Sequence, residues 1–290
     1  MEKKGENSMK KFAKVLLGTV CMVSMLSCAA CGGGGGEKVP DGYKKVDDLN
    51  GKTAEQTYND IMAVIESTKG NFTSTMTYDA TCSVMGMDIP MEIKVIDKID
   101  GANLYEYSYV DTGDMGVKQT LQVWYIEEAL EDGSLKATAY AKKDNSQIMS
   151  ANMTWAEICA SAGMDPDKIF SPIYDFTGYS FSDVSFYVDE DLEDDVDVAP
   201  YFKLVIKGDK AEEFANKTMQ VALEGAKTTF SNIEYKFVLT DAGELDHAEI
   251  YYTVKMKYEG MEYKYVFDGD IVFSDIGTTV VTAPGAVTVQ

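Results

Sequence analysis

The chain has 290 residues, of which 26 are lysine, 48 are acidic and none is arginine. Its formal net charge at pH 7 is −22. Nucleic-acid binders cluster lysine and arginine, and proteins that lie flat on anionic lipid need a basic patch; the sequence shows neither pattern. The absence of arginine also removes the bidentate side chain preferred for phosphate and carboxylate groups. The composition therefore argues against a nucleic-acid partner.

The first 30 residues have the pattern of a secretory signal. Five lysines precede a mostly apolar run at 15–26, which is followed by small residues. A run of this length is too short to cross a bilayer as a helix, which takes about 20 apolar residues. Met9 opens a more ordinary leader than Met1, so both remain candidate starts. We predict a lipoprotein signal peptide over 1–30.

The segment "LSCAACGGGGG", residues 26–36, resembles the lipobox of bacterial lipoproteins, in which a cysteine after small residues is lipidated. Cys31 follows two alanines and precedes five glycines, so it is the predicted lipid-attachment residue; Cys28 is the alternative. A zinc or redox site would need further cysteine or histidine nearby, and the only histidine is His247. We expect no metal and no cofactor.

A diacylated cysteine carries two acyl chains, which anchor a protein stably where one chain is marginal. We predict a flexible tether over 31–52, with a reach on the order of 25 Å, and one folded domain over 53–285. The protein should therefore lie at the extracellular face of the cell membrane, held there by its lipid.

The domain begins with a predicted amphipathic helix at 54–69. Thr53 and Gln56 have the spacing of a capping box, and apolar side chains follow at helical spacing: Tyr58, Ile61, Met62 and Ile65. The pattern then alternates with a period of two. This predicts a long antiparallel hairpin from residue 72 to residue 95, apolar on one side, and further strands at 104–110, 118–127 and 136–142.

The remaining pattern predicts helices inserted among strands. A second capping box opens a short helix at 154–163, and Asp165–Pro166 begins a turn of helix that reaches residue 170. Strands are expected at 178–188 and 201–207, and a helix at 210–225. Three further strands, at 232–240, 248–258 and 262–274, precede an extended tail.

This order of elements, with the ending "GDIVFSDIGTTVVTAPGAV", resembles the half-barrel lipoproteins of the LolA, LolB and LppX kind, including uncharacterised Gram-positive lipoproteins. The resemblance implies an α+β fold, a strongly curved antiparallel sheet whose concave face is covered by helices. It also implies a cavity for acyl chains or another lipophilic ligand. LolA uses an arginine in its closed state, and this chain offers none.

Residues facing the predicted interior include flexible methionines, which suit either an adaptable pocket or a filled core. They are Met62, Met76, Met91, Met219 and Met256.

The sequence offers no catalytic residues, and we predict that the protein is not an enzyme. One histidine and no G-x-S-x-G leave no hydrolase triad, and no nucleotide-binding glycine motif is present. We expect His247, beside Asp246, to be a solvated loop histidine. Cys82 and Cys159 are either a disulfide pair or two buried thiols.

Three acidic runs and the many tyrosines are candidate binding sites. The segments 189–197, 111–116 and 241–246 carry carboxylates suited to Ca²⁺, but a solvated loop and two hairpin turns are the simpler readings. Eighteen tyrosines suggest a sugar-binding surface, yet only Trp124 and Trp155 accompany them, and tyrosine is also a good strand former.

The leading functional hypothesis is a membrane-anchored surface lipoprotein that binds or carries a lipophilic ligand. The alternative is a non-catalytic cell-envelope interaction or sensor module with a filled core. Ligand-binding residues and protein partners are not identified by the sequence.

Overall fold

The computed structural model of the chain describes residues 43–67, 70–101, 103–131, 135–151, 181–189, 199–206, 227–258, 260–285 and 288–289. These residues contain one α-helix, α1 (Ala54–Ser67), and two short 3₁₀ helices, Gly113–Met115 and Phe181–Asp183. The strands are β1 (Tyr43–Lys45), β2 (Asp48–Leu49), β3 (Lys52–Thr53), β4 (Asn71–Val84), β5 (Met87–Asp100), β6 (Asn103–Asp111), β7 (Lys118–Ala129), β8 (Leu135–Lys143), β9 (Met149–Ala151), β10 (Val184–Asp189), β11 (Tyr201–Ile206), β12 (Lys227–Leu239), β13 (Leu245–Tyr258), β14 (Met261–Ser274) and β15 (Thr288–Val289).

Thirteen of these strands form one sheet in the order β1-β10-β11-β12-β13-β14-β4-β5-β6-β7-β8-β9-β15. All pairings are antiparallel except the two-residue contact of β15 with β9. Each half of the sheet is largely a meander of strands consecutive in the chain. The two halves meet where β14, near the C-terminus, pairs with β4 over twelve residues, from Tyr263↔Val84 to Ser274↔Thr73.

The capping box predicted for α1 is confirmed. The Thr53 amide donates to Gln56 Oε1 at 2.9 Å, and the Gln56 amide donates to Thr53 Oγ1 at 3.2 Å, so two helix-terminal donors are satisfied. The helix packs onto the β11 side of the sheet, where the rings of Tyr58 and Phe202 lie 5.7 Å apart. Within the described segments, no helix has the length and apolarity needed to cross a bilayer.

The long hairpin predicted after α1 is also confirmed, as β4 and β5. Two turn residues connect the strands, Met85 with φ 53° and Gly86 with φ 81°, while Val84 pairs with Met87. Positive φ at both turn positions gives the twist that suits a two-residue hairpin. The predicted strands at 104–110, 118–127 and 136–142 correspond to β6, β7 and β8.

The sheet has one buried face, which we call the inner face, and one mostly polar face, the outer face, which carries a small buried cluster of Tyr187, Tyr201 and Val238. Along β4, even-numbered residues from Phe72 to Val84 point inward and are buried, whereas Thr77 and Asp79 point outward and are exposed. Facing side chains from β10 to β14 continue the buried layer with closely packed aromatic rings. Phe186 and Phe202 stack at 4.3 Å, and Tyr252 and Phe267 stack at 4.6 Å.

The predicted fold class is wrong. The described residues are mostly antiparallel sheet with one helix, and no helices cover a concave face. The sheet is open, with β1 and β15 at its edges. The helical cover was implied by the resemblance, while a one-sided sheet requires only that helices, a ligand or both cover its apolar face. Here large aromatic side chains of the sheet itself, together with α1, bury much of the inner face.

Other element predictions need correction or lie outside the described residues. The helices predicted at 154–163, 166–170 and 210–225 all lie outside them. β12 begins five residues before its predicted start because its pairing with β13 continues through a register shift between Phe230 and Ile233. β13 begins three residues before its predicted start because the same pairing continues through a second shift beside Val238. Tyr43–Lys45, placed in the predicted tether, pairs with β10 at the sheet edge.

The tail after β14 folds back onto the outer face of β4. Asn71 binds Thr279 in both directions, donating from its side-chain amide to the Thr279 carbonyl at 3.0 Å and accepting from the Thr279 amide at 2.8 Å. The hydroxyls of Thr73 and Thr279 are 3.0 Å apart and buried. These contacts fasten the start of β4 to the end of β14.

Gly269→Ala tests the packing between β14 and β4. Tyr78 pairs with Gly269, and a Cβ at residue 269 would overlap Tyr78 Cδ1 and lie 2.5 Å from the Thr77 carbonyl oxygen. Because a backbone atom is involved, relaxation is difficult, and we expect a loss of about 2–3 kcal/mol in the free energy of unfolding in urea.

Gly285→Ala is the matched control. A Cβ there meets nothing within 4 Å, so stability should change by less than about 0.5 kcal/mol. Equal stabilities for the two variants would show that the pairing of β14 with β4, which we call the seam, tolerates a side chain at residue 269.

Candidate functional site

Four polar side chains occupy inner-face positions on three adjacent strands. Ser74 of β4 is paired with Asp97 of β5, and Asp97 is paired with Glu106 of β6. Ser108 lies two residues beyond Glu106 and therefore on the same face. We call Ser74, Asp97, Glu106 and Ser108 the carboxyl cluster.

The strands place these groups among apolar neighbours because they follow the inward alternation of the core. Val95 and Ile99, on either side of Asp97, are buried, and so are Leu104 and Val110 on β6. Asp97 itself is only 4% exposed, and Glu106 is partly buried. No described residue forms an ion pair with either carboxyl. Two like-charged groups thus face each other across a strand pair without a lysine.

Burial changes the protonation of both carboxyls. The pKa of Asp97 is raised well above its usual range, first by burial and then by repulsion from Glu106. Burial raises the pKa of Glu106 to about 7. Ionising both groups in an apolar layer is costly, so the pair retains a proton close to neutral pH. It can donate a hydrogen bond when protonated and attract a cation when ionised.

The two serine hydroxyls add unused hydrogen-bonding capacity. Ser74 and Ser108 are 0% and 1% exposed, and neither Oγ has a hydrogen-bond partner among the described residues. An unsatisfied buried hydroxyl costs about 1–3 kcal/mol. Such a cost is offset when a bound molecule or water supplies the missing partner.

The carboxyl cluster borders a less densely covered part of the inner face. Val123 of β7 is paired with Glu106, and Ala141 of β8 is paired with Val123. Both are partly exposed, as are Leu121, Ala137 and Ala139 on the same face, whereas Tyr125, which pairs with Ala139, is buried. We call this set the alanine patch: Leu121, Val123, Ala137, Ala139 and Ala141. Its side chains are small, in contrast to the aromatic rings of β10–β14.

A second group of inner-face hydroxyls lies near the centre of the sheet. Burial raises the pKa of Tyr252 well above its usual range, and the proximity of Tyr78 and Tyr235 raises it further. The Tyr252 hydroxyl is buried and has no hydrogen-bond partner among the described residues. The inner face is therefore apolar with polar atoms embedded in two places.

The outer face carries an acidic depression of about 330 Å³ between β14, β4 and β5. Its acidic residues are Asp79, Glu92, Asp268 and Asp270. Burial raises the pKa of Asp270; His247 opposes the rise, and the nearby carboxylates Glu249, Asp268 and Asp79 add to it. Within the described part of the chain, no group of three or more histidine, cysteine or acidic residues is arranged to hold a metal ion.

The predicted lipid-attachment residue Cys31, and its alternative Cys28, lie outside the described residues. Cys159 does as well, whereas Cys82 is a buried free thiol. Burial raises the pKa of Cys82 to about 11, and its hydrogen bond with Tyr265 only partly opposes this. A thiol of this kind is unreactive at neutral pH.

The prediction that His247 lies in a loop is wrong. His247 lies in β13, where it pairs with Val238 and its Nδ1 is 2.7 Å from Asp246 Oδ2. The segments 111–116 and 241–246 include the expected hairpin turns. In the first, Asp111 accepts from Lys118, the Gly113 amide and Tyr109, which together lower its pKa. Residues 190–197 of the acidic run lie outside the described residues.

The interior methionines that the structure describes contribute to the buried layer. Met76, Met91 and Met256 are fully buried in it, and Met62 packs against it; Met219 and Trp155 are outside the described residues.

Sequence reasoning missed the carboxyl cluster. A signal was available, since Asp97 continues the inward series Ile93, Val95 and Ile99. Glu106 stands in the same way between Leu104 and Ser108. The meeting of the two carboxyls depends on the β5–β6 register, which the alternation alone does not give.

Comparison with known proteins gives no family assignment. No family model and no curated protein match the chain. Among solved structures, it is similar to the crystal structure of a DUF1329 family protein from Desulfovibrio piger, with a TM-score of 0.26 and 10% sequence identity. The match covers 76% of this chain and 94% of that one. A likeness this low supports no argument about fold or function.

Glu106→Gln should weaken the pH dependence of stability. In the folded protein the Glu106 carboxyl loses its proton only near its raised pKa of about 7, whereas the unfolded chain loses it at lower pH. Stability therefore falls as pH rises through this interval. Between pH 5 and pH 8, wild type should lose on the order of 2–3 kcal/mol more than Glu106→Gln in urea unfolding.

Glu128→Gln serves as the control because Glu128 is exposed on β7. It should retain the wild-type pH dependence. Parallel stability profiles for wild type and Glu106→Gln would contradict the raised pKa.

Proposed function

We propose that this protein is a membrane-anchored bacterial surface lipoprotein that binds a lipophilic ligand on the inner face of its sheet. The observation that carries the proposal is the alanine patch, a partly open apolar surface, directly beside the buried polar groups of the carboxyl cluster. The proposal includes no catalytic step, no cofactor and no nucleic acid.

The alanine patch supplies the apolar half of the binding surface. Its five residues present no charge, and burying apolar area there contributes about 25 cal/mol per Å². Small side chains on β8 leave room above the strand, whereas the rings of β10–β14 fill theirs. An acyl or similar chain would lie along β7 and β8, where inner-face residues remain partly exposed.

The carboxyl cluster supplies the polar half. A ligand whose polar end reaches Ser74 and Ser108 would satisfy hydroxyls that have no described partner. Polar groups at the end of an apolar surface are the arrangement that orients an amphiphile. The ligand is therefore proposed to be amphiphilic, with its polar end at β5–β6.

The anchor is proposed at Cys31, with Cys28 as the alternative. Tyr43–Lys45 belongs to the sheet, so the tether is counted from residue 31 to residue 43, twelve residues. A flexible segment of that length reaches on the order of 20 Å. The domain would then stand close to the outer surface of the membrane, with its β1–β10 edge nearest the lipid.

A second candidate function is a non-catalytic envelope interaction or sensor module with a filled core. The stacked rings of β10–β14 favour it, because that half of the inner face already has its own packing. In that case Ser74 and Ser108 are bridged by ordered water instead of a ligand.

Native mass spectrometry on the Cys31→Ser protein tests the ligand. We expect co-purifying lipid and displacement of a bound fluorescent fatty acid. Ala141→Trp fills the alanine patch and should weaken fatty-acid binding at least tenfold. Lys142→Trp, one residue along β8 and on the other face, should leave it unchanged. A bare mass with no fatty-acid binding would support the filled-core alternative.

Metabolic labelling with a palmitate analogue tests the anchor. Cys31→Ala should abolish labelling and release the protein into the medium, while Cys28→Ala should remain labelled and attached. Full acylation of the Cys31→Ala protein would exclude Cys31 as the attachment residue.

A further inference from the structure

The outer face of β5–β8 carries a row of aromatic side chains. Tyr105, Trp124 and Tyr140 occupy the same register position on β6, β7 and β8, since Tyr105 pairs with Trp124 and Trp124 pairs with Tyr140. All three are partly exposed. Tyr107 and Tyr109 add two further rings along β6.

These rings are not part of the core. None belongs to the buried cluster of the inner face or packs against it. Tyr105 and Trp124 lie 5.1 Å apart with their planes inclined by 45°, and both remain partly exposed. Adjacent strands are about 4.8 Å apart, so the row of three rings extends about 10 Å across the sheet.

The charged side chains beside these rings are mainly positive, whereas the chain as a whole carries a net negative charge. Three lysines point outward beside the rings: Lys94 and Lys98 on β5, and Lys142 on β8. None of them forms an ion pair with a residue that the structure describes. The positions between them on these strands carry Ile96, Thr120 and Gln122. At the edge of this surface Asp111 accepts from the Tyr109 hydroxyl at 3.0 Å and is paired with Lys118, whose Nζ lies 5.1 Å from the centroid of the Tyr109 ring. The lysine offsets the Asp111 charge, so the surface keeps a positive charge although the chain has a net charge of −22.

We name this surface the aromatic–lysine platform and define it by Tyr105, Tyr107, Tyr109, Trp124, Tyr140, Lys94, Lys98 and Lys142. We propose that it binds an acidic polysaccharide. Aromatic faces stack on the apolar faces of sugar rings, and the lysines pair with carboxylate or phosphate substituents. The hydroxyls of Tyr107 and Tyr140 and the side-chain NH₂ of Gln122 bond sugar hydroxyls, while Tyr105 and Tyr109 donate to Gln122 and Asp111. The site lies on the face opposite the alanine patch and does not depend on a lipophilic ligand.

Two other anionic partners fit the platform less well. A surface that inserts into a bilayer carries several long aliphatic side chains. Of the three outward residues between the rings and lysines, Ile96 is aliphatic and Thr120 and Gln122 are polar. A single-stranded nucleic acid is held by a long basic groove, whereas the platform has three free lysines and the chain has no arginine. A polysaccharide needs only a short row of rings and a few cations.

The test measures binding of the purified complete chain to hyaluronan and polygalacturonate, by Trp fluorescence and isothermal calorimetry. Cellohexaose, phosphatidylglycerol vesicles and a single-stranded oligonucleotide are compared. We expect acidic polysaccharide binding that weakens with added salt. Trp124→Ala and Tyr140→Ala should each weaken it at least tenfold, and Lys98→Gln should weaken it threefold or more and reduce its salt dependence.

Tyr251→Ala is the control, because Tyr251 is an exposed ring on the outer face of β13, away from the platform; its affinity should equal that of wild type. If Trp124→Ala fails to fold, Tyr140→Ala and Lys98→Gln still decide the question. The proposal is overturned by absence of binding to both acidic polysaccharides, by equal binding of cellohexaose, by preference for vesicles or oligonucleotide, or by full affinity in the folded platform variants.

Discussion

The pairing of β14 with β4 is the contact on which the sheet depends. It joins two meanders whose other long pairings connect strands close in the chain, and it brings together residues almost 200 positions apart. Closing such a separation costs entropy before any contact is gained. The join is therefore reinforced: Gly269 makes room for the Tyr78 ring, and the tail binds Asn71 and Thr73.

Once the seam is formed, the inner face becomes one surface with two different halves. Aromatic rings and α1 fill the half from β10 to β14, while on β7 and β8 the smaller side chains of the alanine patch remain partly exposed. The carboxyl cluster lies between these halves. Asp97 and Glu106 reduce stability where they are, since each must be desolvated beside the other. Buried polar residues that interrupt an otherwise apolar core and reduce its stability are typical of functional positions.

The outer face is equally divided. Asp268 and Asp79 are paired across the seam, next to Glu92. The outward positions of β5–β8 beyond them hold aromatic rings and lysines, of which Lys94, Lys98 and Lys142 form no ion pair with a described residue. The balance of charge therefore differs between regions of one sheet, and whole-chain charge is a poor guide to the local surface. The composition suggested no basic patch because the lysines of the platform come from segments about 45 residues apart.

Local patterns in the sequence determined the elements: the Thr53–Gln56 capping box, the alternation along β4 and β5, and the Met85–Gly86 turn each act within a few residues. Only the tertiary structure decided the strand order, the absence of a helical layer over the described sheet, and which polar side chains meet. Asp97 stands in an inward position on sequence grounds, but Glu106 becomes its neighbour through the register of β5 with β6. Register and strand order arise from contacts between distant segments, and alternation within one strand carries no information about its partner.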